Sequence, residues 1–179
     1  VAARLAANHP EKVSRLVTIG GLGLGLFSPA PPEGIKLLVE FVQDPTRERM
    51  MAWMESMVYD TAVLTDEFVE MRWEAAQDPK AMADVKKLYN FEALKAMGNR
   101  SAGAAESITT MTKIQAPTLL TIGRDDRVTP MDGVLVPMRY VKRCELHVFP
   151  DCGHWAMIER KEEFESTVLA FLMRDLTVG

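Results

Sequence analysis

The hydrophobic pattern divides the 179 residues into strand-like segments near both ends and a long helical segment between them. Short runs rich in Val, Ile, Leu and Thr predict buried strands, and they cover Arg15–Ile19, Pro117–Ile122 and Cys144–Phe149. Between the first two runs, apolar residues recur at helical spacing over roughly residues 34–113. Strands that alternate with helices predict parallel βαβ units. We therefore expect an α/β fold with a helical block inserted between two strands.

Helices are predicted beside the strands and throughout the inserted block. Ala-rich residues 2–7 form one helix, which Pro10 ends because the residue before a proline avoids the helical conformation. Three apolar stripes predict helix faces in the block: Ile35, Leu38, Val39 and Val42; Met50, Met51, Met54, Met57 and Val58; and Phe68, Met71 and Ala75. Two more helices are expected over about 133–141 and 161–174, the last with a stripe of Phe164, Val168, Phe171 and Leu172.

The same patterns divide the chain into three parts. Residues 1–28 and 114–179 are predicted to be segments of an α/β core, and residues 29–113 a helical lid. Eight of the twelve methionines lie in the lid. Because methionine fills irregular apolar space, they suit either a movable cap over an apolar pocket or the lid's own core.

Composition excludes several classes of protein. With 47% hydrophobic and 26% charged residues, the chain has ordinary globular usage. Its formal net charge of −4 gives no basic footprint for nucleic acid or an anionic membrane, and no apolar run approaches the ~18 residues that span a bilayer. Two cysteines, Cys144 and Cys152, are too few for a disulfide framework and lack metal-site company, so we expect a cytoplasmic location. No metal or organic cofactor is predicted.

Ionisable residues follow the last two predicted strands. Asp125 and Asp126 come after one strand and His154 after the next. In open parallel sheets, ligands bind beyond the carboxyl ends of the strands. An acid and a histidine at that edge are what a nucleophilic hydrolase requires, since histidine takes the nucleophile's proton and the carboxylate fixes its tautomer. The alternative is that both acids are turn residues and the histidine only a loop residue.

Two motifs resemble the acid and histidine segments of α/β-hydrolases: GRDDRVTP at 123–130 and CGHW at 152–155. Further segments resemble the meta-cleavage-product hydrolases, which cleave carbon–carbon bonds in bacterial degradation of aromatic compounds; they are GGLG at 20–23, FSPAP at 27–31, EGIKLL at 33–38, YD at 59–60, MRWEA at 71–75 and LHVF at 146–149. The resemblance covers nearly the whole chain. It implies the C-terminal part of an α/β-hydrolase fold, acting on 2-hydroxy-6-oxohexa-2,4-dienoate-type ring-fission products.

The resemblance also assigns site residues. The triad acid falls on Asp126 rather than Asp125, and the catalytic histidine on His154. Trp155 matches an aromatic residue that lines the pocket, and Arg72 matches a lid arginine that approaches the dienoate carboxylate. A guanidinium suits that task because its planar fork stays charged. Without the surrounding match, Arg72 would be read as a solvated helix residue.

A nucleophile motif is missing from these residues. No Gly-x-Ser-x-Gly occurs; the nearest segment is NRSAG at 99–103, in which we interpret Ser101 as part of a mobile connection over 98–106. Because the family's nucleophile elbow precedes the helix that matches residues 1–7, the serine is expected outside this chain. The chain begins with Val inside a helix, so we expect it to start partway through a gene product and to be inactive alone. Its expected partners are the dienoate and further copies of itself, or a complementing N-terminal half.

Two alternatives remain open. An esterase or thioesterase of the same fold would share Asp126 and His154 but would need no carboxylate clamp. A catalytically inert fragment is the other alternative. The glycines at 21, 23 and 25 do not add a nucleotide site, because their spacing is G-x-G-x-G and prolines follow at 29, 31 and 32.

Overall fold

Three parallel strands form the sheet of the computed structural model, which describes residues 1–22, 31–97 and 104–175. The strands are β1 (Leu16–Ile19), β2 (Thr118–Gly123) and β3 (Cys144–Phe149), in the order β1-β2-β3. In register, Leu16 pairs with Thr118, and Thr118 pairs with Cys144. Their carboxyl ends therefore lie along one edge. All three predicted strands and their parallel arrangement are confirmed.

Helices make up most of the rest of the described chain. They are α1 (Ala2–Asn8), α2 (Glu33–Gln43), α3 (Arg47–Ser56), α4 (Asp66–Ala76), α5 (Pro79–Leu88), α6 (Phe91–Met97), α7 (Ala104–Thr112), α8 (Asp132–Tyr140), α9 (Ala156–Glu159) and α10 (Lys161–Met173). Short 3₁₀ turns cover Pro10–Lys12 and Thr61–Val63. The predicted helices at 2–7, 133–141 and 161–174 are confirmed to within two residues at each end. None of the helices in the described ranges is long and apolar enough to cross a bilayer.

The middle strand, β2, is buried along its whole length. Because side chains alternate across a strand, Leu120 and Ile122 share one face, where they contact Val134 of α8. On the opposite face of the sheet, Phe149 of β3 packs against Phe164 of α10. Helices thus cover both faces, which is why β2 is buried at every residue rather than at alternate ones.

The first helices after β1 form a second apolar core. We call α2, α3 and α4 the cap helices. Met50 and Met54 of α3 are completely buried, and Met57 nearly so. They pack with a cluster from α2, the segment after α3, α4 and the loop after β3: Phe41, Val42, Val58, Val69 and Trp155. These methionines therefore belong to the core of the cap helices.

Two predicted helix faces are wrong in part. On α4, Met71 is 54% exposed and Ala75 is also exposed, whereas Val69 is buried and Trp73 packs on the cap core. The indole of Trp73 buries more apolar area than Met71 or Ala75 would, so Trp73 faces the core and the buried face of α4 is rotated from the predicted one. On α10, Phe164 and Phe171 pack inward as predicted, but Leu172 is 42% exposed.

Some predictions fall on parts of the chain that the structure does not describe. Ser101 and the glycines at 23, 25, 98 and 103 lie outside the described residues. The division into 1–28, 29–113 and 114–179 stays a prediction. Helix α7, which falls in the predicted lid, contributes Met111 to a cluster with Ala6 of α1 and Leu16 of β1.

A glycine at the end of β2 lets the loops after β2 and β3 come together. A Cβ on Gly123 would lie 2.0 Å from the carbonyl oxygen of Gly153 and 2.3 Å from that of Cys152. Both obstacles are backbone atoms, so no side-chain rotation relieves the clash. Gly123→Ala is expected to lower the free energy of unfolding by about 1–3 kcal/mol or more, as measured by urea denaturation.

Gly133→Ala is the matched control for this prediction. Among the described residues, a Cβ there meets only the Thr129 methyl, at 2.9 Å, and alanine in a helix gains about 1 kcal/mol over glycine. Its stability should therefore stay within about 1 kcal/mol of the original. Equal stability of the two variants would contradict the close approach of the loops.

Candidate active site

The Asp126 carboxylate lies at the centre of the candidate site, in the turn that follows β2. Its side chain is only 1% exposed. Oδ1 accepts hydrogen bonds from the backbone N–H groups of Val128 and Thr129, both at 2.7 Å. An aspartate that binds the N–H groups two and three residues ahead is a standard turn device. Oδ1 thus stabilises the turn, and the second oxygen, Oδ2, is left to bind a group outside it.

That second oxygen contacts the predicted histidine. Asp126 Oδ2 lies 2.8 Å from Nδ1 of His154, whose side chain is 22% exposed. Since an ionised carboxylate only accepts hydrogen bonds, Nδ1 carries the proton in this pair. In the neutral ring Nε2 is then an acceptor. The structure therefore brings the two predicted residues together in the geometry of a histidine prepared to take a proton.

The end of β1 approaches the same imidazole. Gly20 has a φ of +74°, and a Cβ there would lie 2.9 Å from Cε1 and 3.3 Å from Nδ1 of His154. Only glycine combines that backbone conformation with that proximity. All three strands therefore contribute their carboxyl ends to one site.

The neighbouring acid, Asp125, faces away from the histidine. Its carboxylate is 34% exposed and pairs with Arg124 at 3.2 Å. Its backbone N–H donates to the carbonyl of Cys152 at 2.9 Å. Asp125 therefore ties the two loops together through its backbone, and its side chain contacts neither His154 nor Asp126 among the described contacts.

Cap residues hold the histidine loop from above. The carbonyl oxygen of Met57 accepts a hydrogen bond from the backbone N–H of His154 at 2.7 Å and another from that of Trp155 at 3.3 Å. We call residues 57–60, which follow α3, the cap segment, and residues 150–155, which follow β3, the histidine loop. The Glu159 carboxylate accepts hydrogen bonds from backbone N–H groups of both. Sequence reasoning missed Glu159, because its partners in the cap are 100 residues away and no local motif marks it.

Arg72 lies between two aromatic rings. Its guanidinium carbon is 5.3 Å from the ring centre of Phe68 and 5.4 Å from that of Trp155. Its Nε is buried and has no hydrogen-bond partner among the described residues. A buried donor without a partner is costly, so an acceptor that reaches Nε would be bound strongly. A fully solvated arginine, the alternative considered for Arg72, would not have a buried Nε.

Trp155, predicted to line a pocket, is 8% exposed. Its ring meets Trp53 edge-to-face at 6.1 Å and Phe68 at 5.7 Å. The indole therefore fixes Arg72 against the cap core. Because Trp155 directly follows His154 in sequence, the arginine packs on the residue next to the imidazole.

The other titratable candidates lie away from this arrangement. On β3, Nε2 of His147 lies 3.3 Å from Oε1 of Glu163. His9 is exposed and lies near Glu11. Burial raises the pKa of the Cys152 thiol to about 12, and the nearby Glu159 adds to this effect. A thiol with so high a pKa is a poor nucleophile at neutral pH. Within the described ranges, no group of three or more His, Cys, Asp or Glu could hold a metal ion.

Comparisons with known proteins agree with this architecture. Residues 1–161 match the family model of the α/β hydrolase fold. A 2-hydroxy-6-oxononadienedioate/2-hydroxy-6-oxononatrienedioate hydrolase from a Pseudomonas species is 39% identical over 176 residues, which are 97% of this chain and 59% of that protein. A protein of the same name from Escherichia coli O139:H28 is 37% identical over 169 residues, 93% of this chain and 56% of its own length.

A solved structure is similar over the same extent. A meta-cleavage product hydrolase from Pseudomonas fluorescens IP01, in complex with acetates, superimposes with a TM-score of 0.81 at 27% identity, covering 96% of this chain and 60% of that one. This chain therefore spans somewhat less than two thirds of the proteins that it resembles. The sheet order, the inserted helices and the family match lead to one conclusion: the chain belongs to the α/β hydrolase fold family.

Proposed function

We propose that the protein that contains this chain hydrolyses a carbon–carbon bond in ring-fission products of the 2-hydroxy-6-oxohexa-2,4-dienoate type. One observation carries the proposal: His154 is bonded to the buried Asp126 carboxylate, and the next residue, Trp155, packs on the guanidinium of Arg72. A proton relay beside an anion-binding side chain is what this reaction requires. The similar proteins from Pseudomonas and E. coli, which are named as hydrolases of such dienedioates, support it.

In this proposal His154 moves the proton and Asp126 orients it. The imidazole takes a proton through Nε2 from a serine hydroxyl or from water, and the carboxylate stabilises the imidazolium that forms. The serine would lie in sequence outside these 179 residues, which contain no Gly-x-Ser-x-Gly. The greater length of the similar proteins supports this assignment.

The reaction that the relay would serve consumes one water. The dienol of the substrate first becomes a ketone, which creates an electron sink. The nucleophile then adds to the distal carbonyl carbon, and the adjacent carbon–carbon bond breaks with its electron pair entering the sink. A proton from His154 completes the departing fragment, and hydrolysis of any acyl intermediate completes the other. The products are a 2-hydroxypentadienoate and a carboxylic acid, and no metal or organic cofactor is needed.

Arg72 would bind the carboxylate end of the dienoate. Its buried Nε without a partner supports an anionic acceptor at that position, and a planar guanidinium can meet a carboxylate with two hydrogen bonds. The aromatic rings of Phe68 and Trp155 limit the directions the guanidinium can take. An esterase or thioesterase with the same relay would not need such a clamp, and an inert fragment would need neither the clamp nor the relay.

We also propose a cytoplasmic location and a partner for the sheet. Both cysteines are free thiols, as is usual in a reducing compartment. Within the described residues β1 has a neighbouring strand on one side only, and an unpaired strand edge favours association. The partner would be a second copy of the chain or a segment that supplies the remaining strands.

Asp126→Asn is expected to lower turnover of the dienoate by about 10³- to 10⁴-fold, because the amide no longer fixes the Nδ1–H tautomer of His154. The complete gene product is assayed by loss of the yellow dienolate absorbance. Asp125→Asn is the matched control and should retain activity within about 3-fold, since an exposed carboxylate contributes little. Equal losses in both variants would contradict the assignment of Asp126.

Arg72→Met tests the substrate class directly. Methionine keeps the packing against both rings but removes the charge, so kcat/KM for the dienoate should fall by about 10- to 100-fold, the value of hydrogen bonds to a charged group. Cleavage of a neutral aryl ester should change by less than about 3-fold, because an ester has no carboxylate to bind. Arg47→Met, which removes an exposed arginine paired with Glu70 on the cap helices, is the control.

Two results would contradict the proposal. If the original protein cleaves aryl esters but no member of a panel of ring-fission products, the esterase alternative holds. If Arg72→Met loses both activities equally, the arginine supports the fold rather than the substrate.

A further inference from the structure

We propose that Glu159 is a positioning residue, which makes the placement of His154 depend on the cap. This inference rests on the proposed function, because it concerns the same relay. Glu159 is the last residue of α9, five positions after the histidine. Among the described residues no hydrogen bond or ion pair joins Glu159 to the imidazole, so we argue its effect through the backbone groups that it binds.

The two oxygens of this carboxylate bind two different segments of the chain. Oε1 accepts the backbone N–H of Tyr59 at 2.6 Å and that of Asp60 at 3.1 Å, both in the loop after α3. Oε2 accepts the backbone N–H of Gly153 at 2.8 Å. Three N–H donors thus converge on one side chain, and hydrogen bonds to an ionised acceptor are about twice as strong as neutral ones.

These contacts surround the backbone of the histidine. The N–H of His154 donates to Met57, two residues before Tyr59 on the cap side. Glu159 binds Gly153 immediately before the histidine, so the histidine loop is joined to the cap segment by two independent links. A Cβ on Gly153 would lie 2.7 Å from the Met57 carbonyl oxygen, which is how closely the two segments approach. A displacement of the cap segment would therefore move the imidazole away from Asp126.

A carboxylate suits this position because the three backbone groups bound to Glu159 are all donors. A glutamine of the same shape has one acceptor oxygen and one NH₂ group, which would face an N–H donor at one of the two segments. Glu159→Gln should therefore release either the cap segment or the histidine loop while changing the side-chain volume very little. Glu165→Gln on the exposed surface of α10 is the matched control.

Amide hydrogen exchange tests the link without any substrate. In the original protein, Tyr59 and Asp60 are exposed residues whose amides should nevertheless be protected, because they donate to Glu159. In Glu159→Gln, exchange should accelerate by about 10-fold or more at the segment that the amide NH₂ group faces, which is either Tyr59 and Asp60 or Gly153, because that segment loses its hydrogen bond to a charged group. The amide of Leu120 in β2 should not change, and Glu165→Gln should match the original.

Kinetics of the complete gene product then test the positioning role. Expressed per folded molecule, kcat of Glu159→Gln should fall by about 10- to 100-fold, because a small misplacement of a catalytic group is costly, while KM changes by less than about 3-fold. The same fall is expected for the aryl ester, because both reactions use His154. This pattern differs from that of Arg72→Met, which affects the dienoate alone.

Each outcome decides the inference. Unchanged kcat in a folded Glu159→Gln protein would overturn it. So would a finding that the Tyr59 and Asp60 amides of the original protein exchange as fast as those of an unstructured peptide. The second result needs no variant, so it decides the matter even if Glu159→Gln does not fold. If the exchange and the ester kinetics behave as expected but no dienoate is cleaved, the proposed substrate class fails and the role of Glu159 stands.

Discussion

The buried carboxylate of Asp126 is the constraint on which the candidate site depends. A negative charge removed from water is costly unless hydrogen bonds replace its hydration. Two backbone N–H groups of its own turn supply part of that replacement, and the Nδ1–H of His154 supplies the rest. The carboxylate therefore determines the shape of one loop and the tautomer of a side chain on another.

The parallel sheet makes this pairing possible. Strands β2 and β3 end side by side, and the absence of a side chain at Gly123 lets the backbone of the histidine loop cross directly above β2. The cap helices then close over the loops: Met57 binds the histidine backbone, and the guanidinium of Arg127 contacts the carbonyl of Glu55. The cap is thus joined to both loops of the relay. Helices that bind the loops of the candidate site through backbone groups can couple their own position to that of His154.

How much of this could be predicted from the sequence depends on the range of the interactions involved. Strands and most helices follow from local periodicity, and His154 and the pair Asp125 and Asp126 follow from their places after consecutive strands. The choice of Asp126 over Asp125 came from the family resemblance, because position alone does not show which carboxylate faces the histidine. The buried face of α4 was mispredicted around Met71, because the packing of Trp73 against distant cap residues decides it. Arg72 was identified only because the sequence around it resembles that of a known family. Glu159 escaped notice because its partners are brought to it by the fold, far along the chain.

The most direct measurement of the central claim is the tautomer of His154, observed by nitrogen-15 NMR of the imidazole rings above the pH range in which histidines titrate. The chain has only three histidines, and His147, which bonds Glu163 through Nε2, provides an internal contrast. The account predicts that the proton of His154 resides on Nδ1, bound to Asp126, with Nε2 unprotonated. A proton on Nε2 of His154, or rapid averaging between the two nitrogens as in a free imidazole, would contradict it.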